Sequence, residues 1–441
     1  MRVNIRRVTQ WGPKIALFVV AFIPGFVIAN IDYTRIMDLA ATVQLSFQQL
    51  QTRSATGDWY PARFERSGVL RYDVARTKPG YTLYTLAPDL SAHLIDMNGR
   101  ELHRWSVTPN EVMPEAAAAP HTLFGMLKPQ VETGHLFPNG DLLLIYAQKA
   151  IGPWESTLIK IDKNSDILWK SRVKVHHAVE VVGDRIYALT SEMKPPSRKP
   201  VVPALYGMPY MDESVSILDS RGNELSRHSI FQAMANTKTM RLAQAVPFND
   251  RIDTLHSNSL DVLNEHTAHF IPRAKPGDVL VSLRNLDMLV VVDLENDKIV
   301  WALRGGWRAQ HDAKMLPNGD ILLFDNEGDL MKHGRSRVLE IAPDTGRIVW
   351  SFEGTAKDPL DSEIRGGAQR LSNGNTLISE STAGRILEVI PDGSVAWEYV
   401  DPLQVTENGR KLIASLGLTV TRYGPSYASF TRDDQGRQAT R

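Results

Sequence analysis

Three histidines and one arginine carry the chemistry for which this sequence can be read: His177, His256, Arg284 and His311. His311 stands in WRAQHDAKMLPNGDILLF, just ahead of an Asn-Gly turn between apolar runs. It lies eight residues before Gly319, and the same offset places Glu132 before Gly140, His269 before Gly277 and Gly366 before Gly374. His177 lies six residues before Gly183, where the turn is shorter, with His176 as its alternative. These positions enter the first strand of a repeated unit, so side chains far apart in sequence can converge. Arg284, in VSLRN, interrupts an apolar strand, and arginine is seldom fully buried without a partner. A guanidinium facing a channel is shaped to hold a tetrahedral oxyanion through two or more N–H groups. An imidazole beside it is a competent nucleophile near neutral pH and a fair leaving group. His256, Arg284 and His311 together describe an anion pocket that contains a nucleophile. The competing reading makes the entrance histidine a scaffold device. That role predicts repetition, and the position instead varies among Glu, His and Gly.

The elements that must position these groups repeat along the chain. Six hairpins end near a tryptophan: SAHLIDMNGRELHRW, STLIKIDKNSDILW, VSILDSRGNELSRH (His228 in the tryptophan place), MLVVVDLENDKIVW, RVLEIAPDTGRIVW and RILEVIPDGSVAW. Apolar, β-branched runs around Asn-Gly, Thr-Gly and Asp-Gly turns are strong hairpin signals. A second hairpin pattern precedes most copies, for example HLFPNGDLLLIY and HDAKMLPNGDILLF, while the first copy has only GYTLYTL in that slot. Four strands per unit, six times over, predict an all-β fold: a six-bladed β-propeller over residues 80–431. The last three second-hairpin starts, Met288, Arg337 and Arg385, lie 49 and 48 residues apart. That spacing is blade-sized and argues against a β-sandwich. The Pro-rich stretch SEMKPPSRKPVVPALYGMPYMDE is expected to be a loop.

Composition narrows the function classes. Lys plus Arg equals Asp plus Glu at 50 each, which gives no basic footprint for nucleic acid. Without cysteine, disulfides, thiolate metal sites and a Cys nucleophile are excluded. Arg2, Arg6, Arg7 and Lys14 lead into a charge-free run from Ile15 to Ile31, which at ~1.5 Å per residue spans about 25 Å. Trp11 and Tyr33 bracket it as interfacial aromatics. Residues 1–31 are therefore expected to be an N-terminal transmembrane anchor, with a cleaved signal peptide as the alternative. The basic flank stays cytoplasmic, so the propeller would face the periplasm or exterior. Residues 32–79 are expected to form a helical then extended linker, and 432–441 a polar tail.

HSNSLDVL, VLVSLRNLDMLVVVDLENDKIVWALRGGW, QHDAKMLPNGDILLFDN and HHAVEVV resemble the motifs of the bacterial arylsulfate sulfotransferase family, six-bladed propeller proteins. The resemblance is densest from His256 to Asn326 and extends over about 80–400. It implies a sulfotransferase that uses no nucleotide sulfate donor and no cofactor. A sulfuryl group would pass from an aryl sulfate to a phenolic acceptor through a transiently sulfated histidine. By motif, His311 resembles the nucleophile, His256 and Arg284 resemble holders of the sulfuryl oxygens, and His177 a further channel histidine. Asn258, Trp307 and Asn326 are expected at the substrate. An inserted NEHTAHFIPRAK holds His269, which obeys the spacing better than His256 does, so either can be the channel histidine.

Other readings compete. Three or four channel imidazoles would suit a metal ion. Quinone-cofactor dehydrogenases share Trp-ending hairpins but commonly have more blades. A membrane-tethered propeller can also serve as a non-catalytic scaffold. Gly305-Gly306 lacks the Lys-Ser/Thr that a phosphate loop needs, and EHTAH is not HExxH. Asp325 and Asn326 can orient channel groups, although such residues at strand ends commonly form turns.

Overall fold

The apolar runs pair as antiparallel hairpins, and consecutive hairpins join into four-stranded up-and-down sheets. The computed structural model describes residues 58–114, 129–148, 155–205, 207–235, 237–244, 253–328, 335–418 and 420–431. Among them, five such sheets and one extended to five strands follow one another along the chain, beside a small three-stranded sheet. The first sheet contains Tyr81–Leu86, Ser91–Ile95 and Glu101–Ser106. The second runs from Gln130–Leu136 to Ile167–Lys170, and the third from Val175–Val182 to Glu224–Ser229. The fourth runs from Ser257–Val262 to Lys298–Arg304, the fifth from His311–Met315 to Ile348–Phe352, and the sixth from Gly367–Arg370 to Val395–Val400.

Burial explains why the strands read as continuous apolar runs. Middle strands such as Met288–Asp293 and Ile321–Asp325 are buried at every residue, because both faces of each sheet are covered. Outer strands such as Lys298–Arg304 are half-buried or exposed apart from Val300. One apolar cluster fills each gap between successive sheets. Leu280, Leu289 and Val291 of the fourth sheet meet Ile321, Leu323 and Leu339 of the fifth. Leu377, Ile386 and Trp397 of the sixth meet Tyr84, Leu86 and Ile95 of the first.

The recurring tryptophan has a specific task. From the outer strand it reaches a turn of the next sheet. Trp105 Nε1 donates to Gly140 O at 3.0 Å, Trp350 Nε1 to Pro391 O at 3.0 Å and Trp397 Nε1 to Met97 O at 2.8 Å. His228, in the tryptophan place of the third sheet, bonds Asp297 Oδ1 at 2.7 Å and does the same work.

The slot that looks empty in the first repeat is filled from the other end of the chain. Thr421–Tyr423 pairs with Tyr81–Leu86 as the innermost strand of the first sheet. Two expectations are corrected. The segment read as linker is, from Asp58 onward, built into the sheets: Trp59–Pro61 pairs with Arg410–Ala414, and Gly68–Tyr72 adds a fifth strand to the sixth sheet. The Pro-rich stretch is only partly loop. Arg185–Lys194 and Tyr210–Leu218 pair without a break from Ile186↔Leu218 to Lys194↔Tyr210, because the polar residues at each end continue the ladder. The anchor expected at 1–31, the following residues to 57 and the polar tail at 432–441 lie outside the described residues. No helix among the described residues is long and apolar enough to cross a membrane.

Candidate active site

The inner strands of the third, fourth and fifth sheets begin with the same irregularity. Each carries a bulge near its start, between Val175 and Val179, Ser257 and Ser259, and His311 and Lys314. In each, a non-glycine residue takes a left-handed backbone at the entrance: His177 (φ 56°), His256 (φ 48°) and Asp312 (φ 51°). Such residues cost of order ~1–3 kcal/mol each and persist where the surroundings over-determine them. Arg365 (φ 58°) takes the same backbone at the sixth-sheet entrance. There the slot is structural: the guanidinium bonds Asp58 Oδ1 at 2.8 Å, Gln130 Oε1 at 2.6 Å and Ser415 Oγ at 2.8 Å.

Motif residues flanking the histidines tie one inner strand to the next. In QHD, Gln310 donates to Ser282 Oγ (2.9 Å) and Met288 O (3.2 Å) of the fourth sheet. Asp312 accepts from Ala368 N (2.9 Å) of the sixth. His311 between them is held in place from both sides. In HSNS, Asn258 Nδ2 donates to Gln310 O at 2.8 Å, and Ser259 Oγ accepts from Ala313 N at 3.0 Å.

His311 is buried, and its Nδ1 lies 2.7 Å from Asn326 Oδ1 and 3.1 Å from Ala309 O. Asn326 itself is fixed, because its amide nitrogen donates to Ser362 O (2.7 Å) and Arg365 O (2.6 Å). Two carbonyl acceptors leave the amide only one orientation, with its oxygen toward His311. Asn326 Oδ1 and Ala309 O can only accept, so the ring proton sits on Nδ1 and Nε2 keeps its lone pair. Burial first, and then the Arg284 guanidinium, lower the pKa of His311 to about 3. It is a neutral imidazole beside a fixed cation.

The His177 ring packs edge-on against the His256 ring, centroids 5.1 Å apart. Burial, and then the neighbouring imidazoles of His176, His256 and His311 and the Arg284 guanidinium, which all disfavour a further positive charge, hold His177 well below the ordinary histidine range. Its Nδ1 lies 2.9 Å from His176 Nδ1, and its backbone N–H donates to Glu132 Oε2 at 3.1 Å. His176 is lowered to about 4, chiefly by burial. His256 Nδ1 lies 2.5 Å from Asp253 Oδ2. Behind this pair, Glu213 accepts from Ser257 N with both oxygens at 3.1 Å, and burial with the Asp253 charge raises its carboxyl well above the usual range.

Arg284 does not interrupt its strand, as the alternation implied. Val279–Leu283 ends before it, and Arg284 opens a short 3-10 turn whose first N–H bonds His256 O at 3.2 Å. That bond fixes the arginine backbone to the entrance of the fourth inner strand. A cavity of about 650 Å³ adjoins the cluster and draws its lining from each of the six larger sheets, including Tyr423, Gly134, His177, Asn258, His311 and Gln369. Its size falls within the range of small-molecule sites.

The structure thus brings His177, His256, Arg284 and His311 into one cluster. It separates His269, which is exposed on the insertion and packs at a tilt against Phe270 with centroids 3.9 Å apart. The offset from Gly277 misleads there because His269 caps a helical turn, Glu265–Ala268, and residues 270–276 between it and Gly277 are turn and loop rather than strand. Asn258 lines the cavity, and its Oδ1 is buried without a hydrogen-bond partner. Two expected substrate residues are corrected. Trp307 is 1% exposed in the apolar cluster between the fourth and fifth sheets, against Gly305, where a Cβ would stand 1.9 Å from its ring. Asn326 lies behind His311 and orients it. Asp253, Glu213 and Glu132 were not assigned from sequence. The spacing marked only Glu132, and neither Asp253 nor Glu213 lies in a readable motif. Among the described residues no group of three or more His, Asp or Glu side chains is arranged to hold a metal ion.

Comparison with solved structures returns distant likenesses. A protein of unknown function from Bacteroides caccae is 12% identical with a TM-score of 0.43, covering 74% of this chain and 94% of that one. The WD40 β-propeller domain of Doa1 is 9% identical at 0.41, covering 82% and 96%. A streptogramin B lyase is 10% identical at 0.40, covering 83% and 97%. Likenesses this remote carry no argument about function. No curated protein matches the chain. The family model for arylsulfotransferase (ASST) matches residues 157–401, over half of the chain and inclusive of all four clustered side chains, and the protein therefore belongs to the arylsulfotransferase family.

Proposed function

We propose that this protein is a six-bladed propeller that moves a sulfuryl group from an aryl sulfate to a phenolic acceptor through a sulfated His311. Family membership supports the reaction class. The observation that carries the reading is the Asn326 amide, which holds the Nδ1 proton of His311 and leaves Nε2 its lone pair, in a ring that the Arg284 charge helps keep neutral. A guanidinium among imidazoles favours an anion over a metal cation. Sulfuryl transfer resembles phosphoryl transfer in needing positioning and charge stabilisation more than covalent assistance. Arg284, His177 and His256 would hold the sulfuryl oxygens, and Asn258 would contact the substrate. Removing one comparable preorganised donor costs about 2.7–4 kcal/mol in other enzymes. One histidine that first accepts and then gives up the group predicts ping-pong kinetics. The basic N-terminal flank and the charge-free run from Ile15 support a single-pass anchor, with the sheets facing the periplasm or exterior.

The test is release of 4-nitrophenol from 4-nitrophenyl sulfate, with and without phenol, together with mass analysis for one added SO3 on the peptide containing His311. His311→Ala is expected to abolish both signals with the fold intact. Full activity in that variant eliminates the reading.

A further inference from the structure

The three clustered histidines are anchored by three different kinds of group. His311 Nδ1 faces an amide and a peptide carbonyl, both neutral acceptors. His177 Nδ1 faces another imidazole, that of His176. His256 Nδ1 faces a carboxylate, Asp253 Oδ2, at 2.5 Å. These anchors imply different chemistry. A neutral acceptor fixes one tautomer and leaves the far nitrogen as a lone pair. A carboxylate also stabilises the doubly protonated ring, so its far nitrogen can hold and release a proton. We propose that His256, positioned by Asp253, is the general acid and base of the transfer, giving its proton to the departing phenolate and taking one from the incoming phenol. The proposal rests on the reading of His311 as the sulfated nucleophile.

The supporting geometry is specific. Asp253 is buried, and its main-chain oxygen accepts from Asn285 Nδ2 at 2.7 Å. Asn285 also receives Arg284 Nη1 on its Oδ1 at 3.0 Å, so one amide spaces the anion-binding arginine from the carboxylate. The His256 backbone is pinned by Arg284 N–H on its carbonyl, and the adjoining Ser257 N–H is held by Glu213. The ring lies against His177, and His256 is among the neighbours that lower His311. The groups facing it are Asp253, Glu213, Arg284, His176, His177 and His311. His256 is half-buried, whereas His311 is buried, so a proton on His256 can exchange with water and the nucleophile stays dry.

The bonds balance. His311 Nε2 attacks sulfur and the S–O(aryl) bond breaks. The electron pair leaves on the phenolate oxygen, which takes the proton from His256 Nε2. His256 is then neutral, with Nδ1–H still on Asp253. In the second half, the acceptor hydroxyl gives its proton to His256 Nε2, its oxygen attacks sulfur, and the N–S bond to His311 breaks. Both histidines return to their starting states.

The experiment compares two donors in full-length protein, 4-nitrophenyl sulfate and 4-methoxyphenyl sulfate. The nitrophenolate leaves without a proton. The methoxyphenolate needs one, since ordinary phenols ionise near pH ~10. General acid–base catalysis typically contributes about 10²–10⁴-fold. Asp253→Asn is expected to lower kcat/KM for the methoxyphenyl donor by roughly 10²-fold or more, and for the nitrophenyl donor by less than about tenfold. His256→Gln, whose amide can still donate to a sulfuryl oxygen but cannot deliver a proton, is expected to give a similar ratio between the two donors and covers the case in which Asp253→Asn does not fold. An equal fall for both donors in a variant that still shows the nitrophenolate burst makes the pair merely structural and overturns the proposal, as does no fall for either. A wild-type protein with no burst at all fails at the earlier step, the sulfated histidine, and removes this proposal with it.

Discussion

Asn326→Ala tests how far the chemistry depends on one buried amide. The substitution removes three hydrogen bonds: to His311 Nδ1 at 2.7 Å, Ser362 O at 2.7 Å and Arg365 O at 2.6 Å. Two of the stranded groups keep a second partner. Ser362 O still receives Ser336 Oγ at 3.1 Å, and His311 Nδ1 still faces Ala309 O at 3.1 Å. At about 1 kcal/mol net per bond the loss of stability is about 3 kcal/mol. The remaining contact to Ala309 preserves the tautomer but leaves the ring a single, longer tether. The ring then spends most of its time away from the line of attack, and kcat is expected to fall by roughly 10²-fold, about 2.7 kcal/mol of barrier. Stopped-flow release of nitrophenolate gives the rate of histidine sulfation, and urea unfolding of the same samples gives the stability. A burst rate within about twofold of wild type, accompanied by the stability loss, would make Asn326 a scaffold residue and refute the argument from the tautomer.

Further outcomes follow from burial. Native His311 stays neutral down to about pH 3, whereas in the unfolded chain it titrates near 6.5. As pH falls from 6.5, the unfolded state takes up a proton that the native state refuses, so this contribution to stability is lost at roughly 1.4 kcal/mol per pH unit. His311→Gln lacks that term. Its stability relative to wild type is expected to improve steadily as pH falls from about 6.5 toward 4, by urea unfolding across that range, and a pH-independent difference would contradict the buried neutral imidazole. Arg422, in the strand that completes the first sheet, bonds Glu388 Oε2 at 3.1 Å and Thr82 Oγ1 at 2.6 Å, with Glu388 fully buried. Arg422→Met strands that carboxylate and is expected to cost about 3–5 kcal/mol, with Glu388→Gln in the same chain recovering part of it.

The cluster was partly legible from residue type and spacing. His311 was found because its offset from the Asn-Gly turn is a strand length, and strand length is conserved geometry within a hairpin. His256 was ambiguous against His269 because the same offset there counted a loop. Arg284 was noticed as a charge in an apolar run, yet its position just beyond the strand depended on where the ladder stops. Trp307 was misread, since an aromatic beside a catalytic-looking motif is indistinguishable in sequence from one that packs between sheets. Glu213 gave no signal, because its partner, Ser257 N, lies on another strand; Asp253, only three residues before His256, gave none because the loop conformation that turns the two side chains together is not written in a spacing. The tryptophan repeat was visible as a pattern, but its purpose, a bond to the neighbouring sheet, was not.

By itself the sequence determined the local units: hairpins closed by glycine turns, doubly buried middle strands, and a histidine at the entrance of certain inner strands. These depend on backbone preference and on apolar patterning within a few residues. Tertiary structure alone decided how the ends of the chain meet, with Thr421–Tyr423 completing a sheet begun at Tyr81. It alone also decided which nitrogen of each histidine holds the proton. A tautomer is set by the acceptor facing the ring, and for His311 that acceptor, Asn326, is itself oriented by carbonyls 36 and 39 residues further along the chain.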